Sequence, residues 1–154
     1  MTLTIREATP ADEAAWRGLW AQYVAFYKAE VPEAVTATTW SRILDPLVPV
    51  FARLAEVEGT VAGFAVGVVH ARTWSIEPIL YLEDLFVDAG FRGRDVGHAL
   101  VEDLLALCRA RGWGQLYWHT EGDNERARRL YDRFAPADGY VRYRLDPRRQ
   151  GEGR

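Results

Sequence analysis

Sulfur is almost missing from this chain of 154 residues, which has one cysteine, Cys108, and one methionine, Met1. A single thiol excludes an internal disulfide and any multi-cysteine metal centre, and fits a reducing compartment. Histidine is nearly as scarce: His70, His98 and His119 lack ligand-like spacing, so no metal site is expected. No apolar run approaches the length of a membrane span, and residues 1–6 lack the apolar core of a secretion signal. A cytoplasmic protein without a membrane partner is expected. The formal charge of −3 argues against a broad nucleic-acid-binding surface. Two common phosphate motifs are also absent. No Gly-x-Gly-x-x-Gly follows the first strand, and no Lys-Ser/Thr follows the later glycines, which disfavours dinucleotide and P-loop folds.

What is present is a globular composition, 49% apolar and 27% charged, of a length that suits one domain. That domain is expected over residues 1–146, with 147–154 a disordered tail. Residues 3–8 alternate apolar and polar, as a strand does. Thr9-Pro10 opens a helix in which Trp16, Leu19, Trp20, Tyr23, Phe26 and Tyr27 recur at helical spacing, mainly as a core stripe. Tyr23 and Tyr27, near its end, are placed to wall a substrate site. A second helix is predicted over 36–44, ended by Asp45-Pro46. Strands over 50–57 and 60–71 flank Glu58-Gly59, a tight-hairpin signal. Gly63 and Gly67 mark close packing or a bulge in the second of them. A strand over 79–87, a helix over 96–111 stopped by Gly112, a strand over 115–120, a helix over 124–134 and a last strand over 139–145 complete the pattern. Cys108 reads as a small buried apolar residue. Hairpins first and strand–helix alternation later imply a mixed α/β (α+β) sheet covered by helices on both faces.

The most telling stretch is Phe91-Arg92-Gly93-Arg94-Asp95-Val96-Gly97-His98-Ala99-Leu100, a basic, glycine-containing turn between a strand and a helix. A helix start presents amides and the positive end of its dipole, and arginines add charge-assisted donors, so the turn is an anion cradle. Arg92-Gly93-Arg94-Asp95-Val96-Gly97 resembles the Arg/Gln-x-x-Gly-x-Gly/Ala pyrophosphate loop of the GCN5-related N-acetyltransferase (GNAT) family. Tyr81-Leu82-Glu83-Asp84-Leu85-Phe86-Val87 resembles the strand before it. Asn124-Glu125-Arg126-Ala127 with Leu130-Tyr131 is similar to the family's downstream Asn…Ala…Leu-Tyr signature, and Ile5-Arg6-Glu7-Ala8-Thr9-Pro10-Ala11-Asp12 to its start. The segments 116–120 through Tyr131 and 139–143 resemble bacterial relatives of the fungal (Hpa-like) histone and polyamine acetyltransferases, and the Glu83 context resembles spermidine/spermine acetyltransferases.

The resemblance implies a GNAT-type sheet of six to seven mostly antiparallel strands, and acetyl-CoA as acetyl donor. It implies that the pantetheine arm pairs with Leu85, Phe86 and Val87, and that the pyrophosphate lies on Arg92, Gly93, Arg94, Asp95, Val96, Gly97 and His98. Asn124 would meet the cofactor arm and Tyr131 the sulfur, as the acid. Glu83, set beside an apolar slot, is the candidate base, with Asp84 the alternative. Strand alternation puts those two carboxylates on opposite faces, so one of them is expected to serve the site. Asp95 stands where the family motif has its first glycine, and a side chain capping the helix would keep its charge off the diphosphate. Acidic residues flanking the acceptor side suggest a cationic primary amine such as a polyamine or a lysine side chain. The expected mechanism is direct attack in a ternary complex and the expected assembly a homodimer. A non-catalytic acyl-CoA-binding module is the competing reading.

Overall fold

The structure is a computed structural model that describes residues 1–149. Part of the expected tail, residues 150–154, lies outside the described residues. The chain divides into two compact units, Met1–His119 and the segment from Thr120 onward. Among the described residues no helix is long and apolar enough to cross a membrane.

The first unit is a five-stranded sheet in sequence order, β1 (Leu3–Glu7), β2 (Val50–Val57), β3 (Thr60–His70), β4 (Ile79–Val87) and β5 (Leu116–Tyr117). The first four pair antiparallel and β4–β5 pair parallel. The sheet is mixed and mostly antiparallel, with five strands where the family resemblance implies six to seven. The β2–β3 hairpin turns at Glu58 and Gly59, both at positive φ (49° and 79°), as a twisted two-residue turn requires.

Helices α1 (Glu13–Phe26) and α2 (Glu33–Leu44) cover one face. Even-numbered residues of β2 and β3, Ala52, Leu54, Phe64 and Val66, form a core there with Trp16, Leu19, Trp40 and Ile43. Trp16 is fully buried, stacked on Trp20 (5.1 Å) and Trp40 (5.2 Å) and edge-on to Phe64. The aromatic stripe of α1 is thus core at its start, whereas Phe26 and Tyr27 at its end are about half exposed. Helix α2 begins three residues earlier than the sequence pattern suggests, directly after Pro32. Helix α3 (Val96–Arg111) covers the opposite face, burying Leu100, Val101, Leu104 and Cys108. Odd-numbered Arg53 of β2 reaches it and makes two hydrogen bonds to Asp103 (2.8 and 3.0 Å). Gly112, at φ 73°, ends α3 in a left-handed cap.

The start of α1 is fastened by a buried carboxylate. A 3-10 turn, Pro10–Asp12, precedes the helix, and Asp12 accepts hydrogen bonds from both terminal nitrogens of Arg6 (2.8 Å each), the Thr9 amide (2.7 Å) and the Thr9 hydroxyl (3.0 Å). Arg6 also donates to Glu56 on β2. The Arg6 guanidinium holds the Asp12 carboxyl well below the usual carboxylate range. A depressed folded-state pKa means stabilisation that is present above the unfolded value near 3.9 and lost as pH falls.

The second unit holds α4 (Glu125–Tyr131), with Asn124 as its cap, accepting the Ala127 amide at 3.2 Å. The strand expected over 139–145 is not formed; within that segment Leu145 alone makes an isolated β-bridge. Tyr140, Val141 and Tyr143 are largely exposed. Their alternation has the β pattern, but a strand exists only where a neighbouring edge supplies the ladder. Similarly, the strand expected over 115–120 is confined to Leu116–Tyr117.

Replacing Asp12 with alanine should cost about 2–3 kcal/mol at pH 7 in urea unfolding, because charge-assisted bonds are lost around a half-buried arginine partner. The gap between variant and parent should narrow below about pH 4.

Candidate active site

The site is organised by an irregularity in β4. On β3, Val66 pairs with Asp84, but the next residue, Gly67, pairs with Leu82, so Glu83 is left out of the ladder. One extra residue on one strand is a β-bulge. Glycine at 67 suits it because there is no room for more: a Cβ there would lie 2.8 Å from the Phe51 ring and 2.9 Å from Leu80. Gly63 is equally confined, since a Cβ at that position would lie 2.8 Å from the Phe86 carbonyl oxygen. On its other edge β4 pairs with β5 only through Leu80–Leu116 and Tyr81–Tyr117, although it continues to Val87. Two parallel strands therefore part just where the bulge sits.

The bulge removes the ground on which simple alternation divides Glu83 and Asp84 between faces, since a residue outside the ladder breaks the two-residue period. It also reverses their expected burial. Glu83 is exposed, while Asp84 is the half-buried carboxylate and accepts a hydrogen bond from the Tyr23 hydroxyl of α1 (2.8 Å). Burial pushes the Asp84 carboxyl up to about 6, with Glu83 adding repulsion and the Tyr23 bond opposing both. Tyr23 in turn packs edge-on against Phe64 and Phe86.

A polar aromatic group lies nearby on β3, β4 and the end of β5. Tyr81 and Tyr117 have ring centroids 4.9 Å apart. The Tyr117 hydroxyl lies 2.7 Å from His70 Nε2, and the Tyr81 hydroxyl 3.2 Å from His119 Nδ1. His70 Nδ1 is 2.9 Å from the Ala71 carbonyl, which only accepts, so Nδ1 carries a proton. The sequence does not single out Tyr81, Tyr117 and His70 as a group. Their signal exists only as register, because they come together across three strands.

The basic turn runs from a 3-10 turn through two left-handed residues into α3. Asp88 caps a 3-10 turn, Ala89–Phe91, by accepting the Gly90 amide (2.8 Å). The chain then passes through Arg92, Gly93 and Arg94, all exposed, into α3. Gly93 has φ 79° and Asp95 φ 57°. The left-handed geometry at 95 explains why the family motif has glycine there, and aspartate is among the few other residues that adopt it. Asp95 caps through its backbone, its carbonyl accepting the Ala99 amide at 3.0 Å. The expected side-chain cap is not made. The first-turn amides of Val96 to His98 face out of the helix end, as at any helix start. Arg92 sits over the Phe86 ring (5.8 Å) and Arg94 over Phe91 (5.3 Å). Exposed cations, left-handed backbone and a long helix suit an anionic diphosphate. His98 lies 3.7 Å from Glu102. Leu85 and Val87 are half-buried and Phe86 is buried on the last third of β4.

In the second unit, the Asn124 side-chain oxygen is committed to the α4 cap, and Tyr131 is the last helical residue, half-buried. Arg126, Arg128 and Arg129 are exposed on α4.

The model of the Acetyltransferase (GNAT) family matches residues 13–135. The chain is 34% identical over 144 residues to the D-amino-acid N-acetyltransferase HPA3 of Saccharomyces cerevisiae, covering 92% of this chain and 89% of that protein. Among solved structures, the ribosomal-protein-alanine N-acetyltransferase of Brucella melitensis biovar Abortus 2308 superposes with a TM-score of 0.80 at 20% identity, covering 95% of this chain and 99% of that one. AAC(6')-Iy, solved with the bisubstrate analogue CoA-S-monomethyl-acetylneamine, gives 0.79 at 20% identity, covering 95% and 99%. At such identities these two structures speak for the fold.

The raised Asp84 pKa has a stability consequence. A carboxyl whose folded value lies above its unfolded one disfavours the folded state as pH rises through the interval, here from about 3.9 to about 6. Asp84→Asn should therefore match the parent near pH 4 and exceed it by about 2–3 kcal/mol at pH 7, one pKa unit being about 1.4 kcal/mol. Urea unfolding at the two pH values checks this; an asparagine variant no more stable than the parent at pH 7 would refute it.

Proposed function

Because the chain belongs to the Acetyltransferase (GNAT) family, we propose that it transfers an acetyl group from acetyl-CoA to a primary amine, by direct attack within a ternary complex. The observation that carries this reading is the junction in β4. Its parallel ladder ends at Tyr81–Tyr117, the strand runs on through Leu85, Phe86 and Val87, and it leads within a few residues into the basic left-handed turn before α3. An extended pantetheine arm adds to such a strand edge as a further strand would. Arg92, Gly93, Arg94, Asp95, Val96, Gly97 and His98 form the diphosphate end of the same groove, and Asn124 is assigned to the arm.

When bound, acetyl-CoA supplies an activated thioester carbonyl, and this chain's residues handle the protons. An alkyl ammonium with a reference pKa near 10.4 must lose a proton before it can attack. Glu83, exposed at the bulge, is assigned as the base that takes it, directly or through one water. Tyr131 is assigned as the acid whose hydroxyl proton goes to the departing sulfur. Backbone amides of the parted strand suit a developing oxyanion. Cys108 is buried in α3, and burial raises its thiol pKa, which makes it a poor acyl relay and favours direct transfer. The left-handed Asp95 preserves the backbone path that glycine provides, so nothing in the turn favours a non-catalytic module.

Replacing Tyr131 with phenylalanine should lower kcat about 100-fold while leaving acetyl-CoA affinity near parental, as read by thiol release and calorimetry. Undiminished turnover would remove its acid role. With Glu83→Gln, only amine that has already lost its proton can react. The deficit should therefore be about 100-fold at pH 7 and shrink as pH approaches the amine's own pKa. A deficit independent of pH would count against Glu83 as the base.

A further inference from the structure

Consecutive residues near the end of α1 fasten it to two points on the β4 side. Tyr23 donates to Asp84, and Gln22 donates from Nε2 to Asp88 Oδ2 at 2.9 Å, across 66 residues of chain. A carboxylate only accepts, so the Gln22 amide presents its NH2 side. Asp88 follows β4 directly and acts as a junction. Its amide donates to the Ala62 carbonyl of β3 (2.8 Å), and its carbonyl accepts the Phe91 amide (2.9 Å). Its Oδ1 accepts the Gly90 amide (2.8 Å). Both carboxylate oxygens are thus committed, one to α1 and one to the 3-10 turn. The Gln22 and Gly90 hydrogen bonds hold the Asp88 carboxyl below its ordinary pKa.

The turn held in this way delivers Arg92, Gly93 and Arg94 to the start of α3. Residues 92–95 are exposed, so core packing does not fix them. Their far end is held by buried Val96 and Leu100 of α3. Their near end depends on Asp88 and on half-buried Phe91. A second route reaches the same turn from α1: Tyr23 packs edge-on against Phe86 (5.8 Å), and the Arg92 guanidinium sits over that ring (5.8 Å). Helix α1 is itself a firm base, because Trp16 and Leu19 are buried in the core. An anchored helix therefore reaches the basic turn through one polar and one aromatic contact. A turn that is ordered before its ligand arrives need not be ordered on binding, and the saving appears as affinity.

We propose that Gln22 is a positioning residue for the cofactor: by holding Asp88 it keeps residues 89–94 in the shape that receives the diphosphate of acetyl-CoA. The proposal rests on the acetyltransferase reading for the identity of that anion. Gln22 is neutral and acts through Asp88, so its effect falls on the order of the turn and not on the field of the arginines. Affinity for the donor is in this way set partly from α1, a helix remote from the turn in sequence.

Gln22 is exposed, so Gln22→Leu removes the hydrogen bond without opening the core. In NMR hydrogen exchange on the full chain without cofactor, the Gly90 amide of this variant should exchange about fivefold faster. The Asp88 amide, bonded to Ala62, should keep its parental rate, which separates a local loosening from a global one. Calorimetry should show the acetyl-CoA Kd raised about fivefold. That factor should be the same at low and high salt, whereas the loss in Arg94→Gln, which removes a cation, should shrink as salt rises. The acetyl-CoA KM should rise, with kcat and the amine KM near parental. In an Asp88→Ala background, Gln22→Leu should change the Kd no further. A parental Kd in Gln22→Leu, unchanged Gly90 exchange, or a loss that persists in the Asp88→Ala background would overturn the proposal. If the parent neither binds acetyl-CoA nor acetylates an amine, the acetyltransferase reading falls, while the Gly90 exchange still decides whether Gln22 orders the turn.

Discussion

One extra residue in β4 governs the geometry of the candidate site. Glu83 stands outside the β3–β4 ladder, and the register shift it creates carries Tyr81 onto the same face as Asp84. The shift happens where β4 and β5 lose contact. Confining glycines hold the arrangement in place. At Gly67 and Gly63 a side chain would collide with Phe51, Leu80 or the Phe86 backbone, so β3 approaches its neighbours as closely as a backbone can. A bulge costs ladder hydrogen bonds, and such features persist where they aim side chains.

Around that point the two faces of the sheet do different work. The α1–α2 face is the aromatic core, where stacked Trp16, Trp20 and Trp40 anchor helices that would be marginal alone. Its rim, where α1 ends in Tyr23, Phe26 and Tyr27, is where burial is incomplete and where a carboxylate is half-buried. The α3 face is aliphatic, and its helix is fixed by buried Leu100, Val101 and Leu104 and by the Arg53–Asp103 pair. That fixes the helix start, so the left-handed residues Gly93 and Asp95 lead into it from a rigid base. An anion received at a helix held this way requires little reorganisation of the protein.

The basic turn is legible in the sequence because its signal is local. A strand, a glycine with arginines, and a helix follow one another within about twenty residues, and each obeys short-range rules. The buried Cys108 and the Glu58-Gly59 hairpin are legible for the same reason, and both are found as expected. The strand expected over 139–145 fails because alternation records a propensity, while a ladder needs a partner edge that the local pattern does not specify. Alternation assigns Glu83 and Asp84 to opposite faces because it assumes an unbroken ladder.

By itself, then, the sequence determined the element types as far as α4, the sheet's mixed character, the basic turn and the family to which the chain belongs, since these follow from periodicity and contiguous motifs. Only the tertiary structure decided which carboxylate is half-buried, which tyrosines stand beside it, and that Tyr23 of α1 holds Asp84 of β4. The reason is physical. Burial and hydrogen bonding at that point depend on strand register and on partners as far as sixty-one residues away in the chain, and one residue of slip reverses every face assignment.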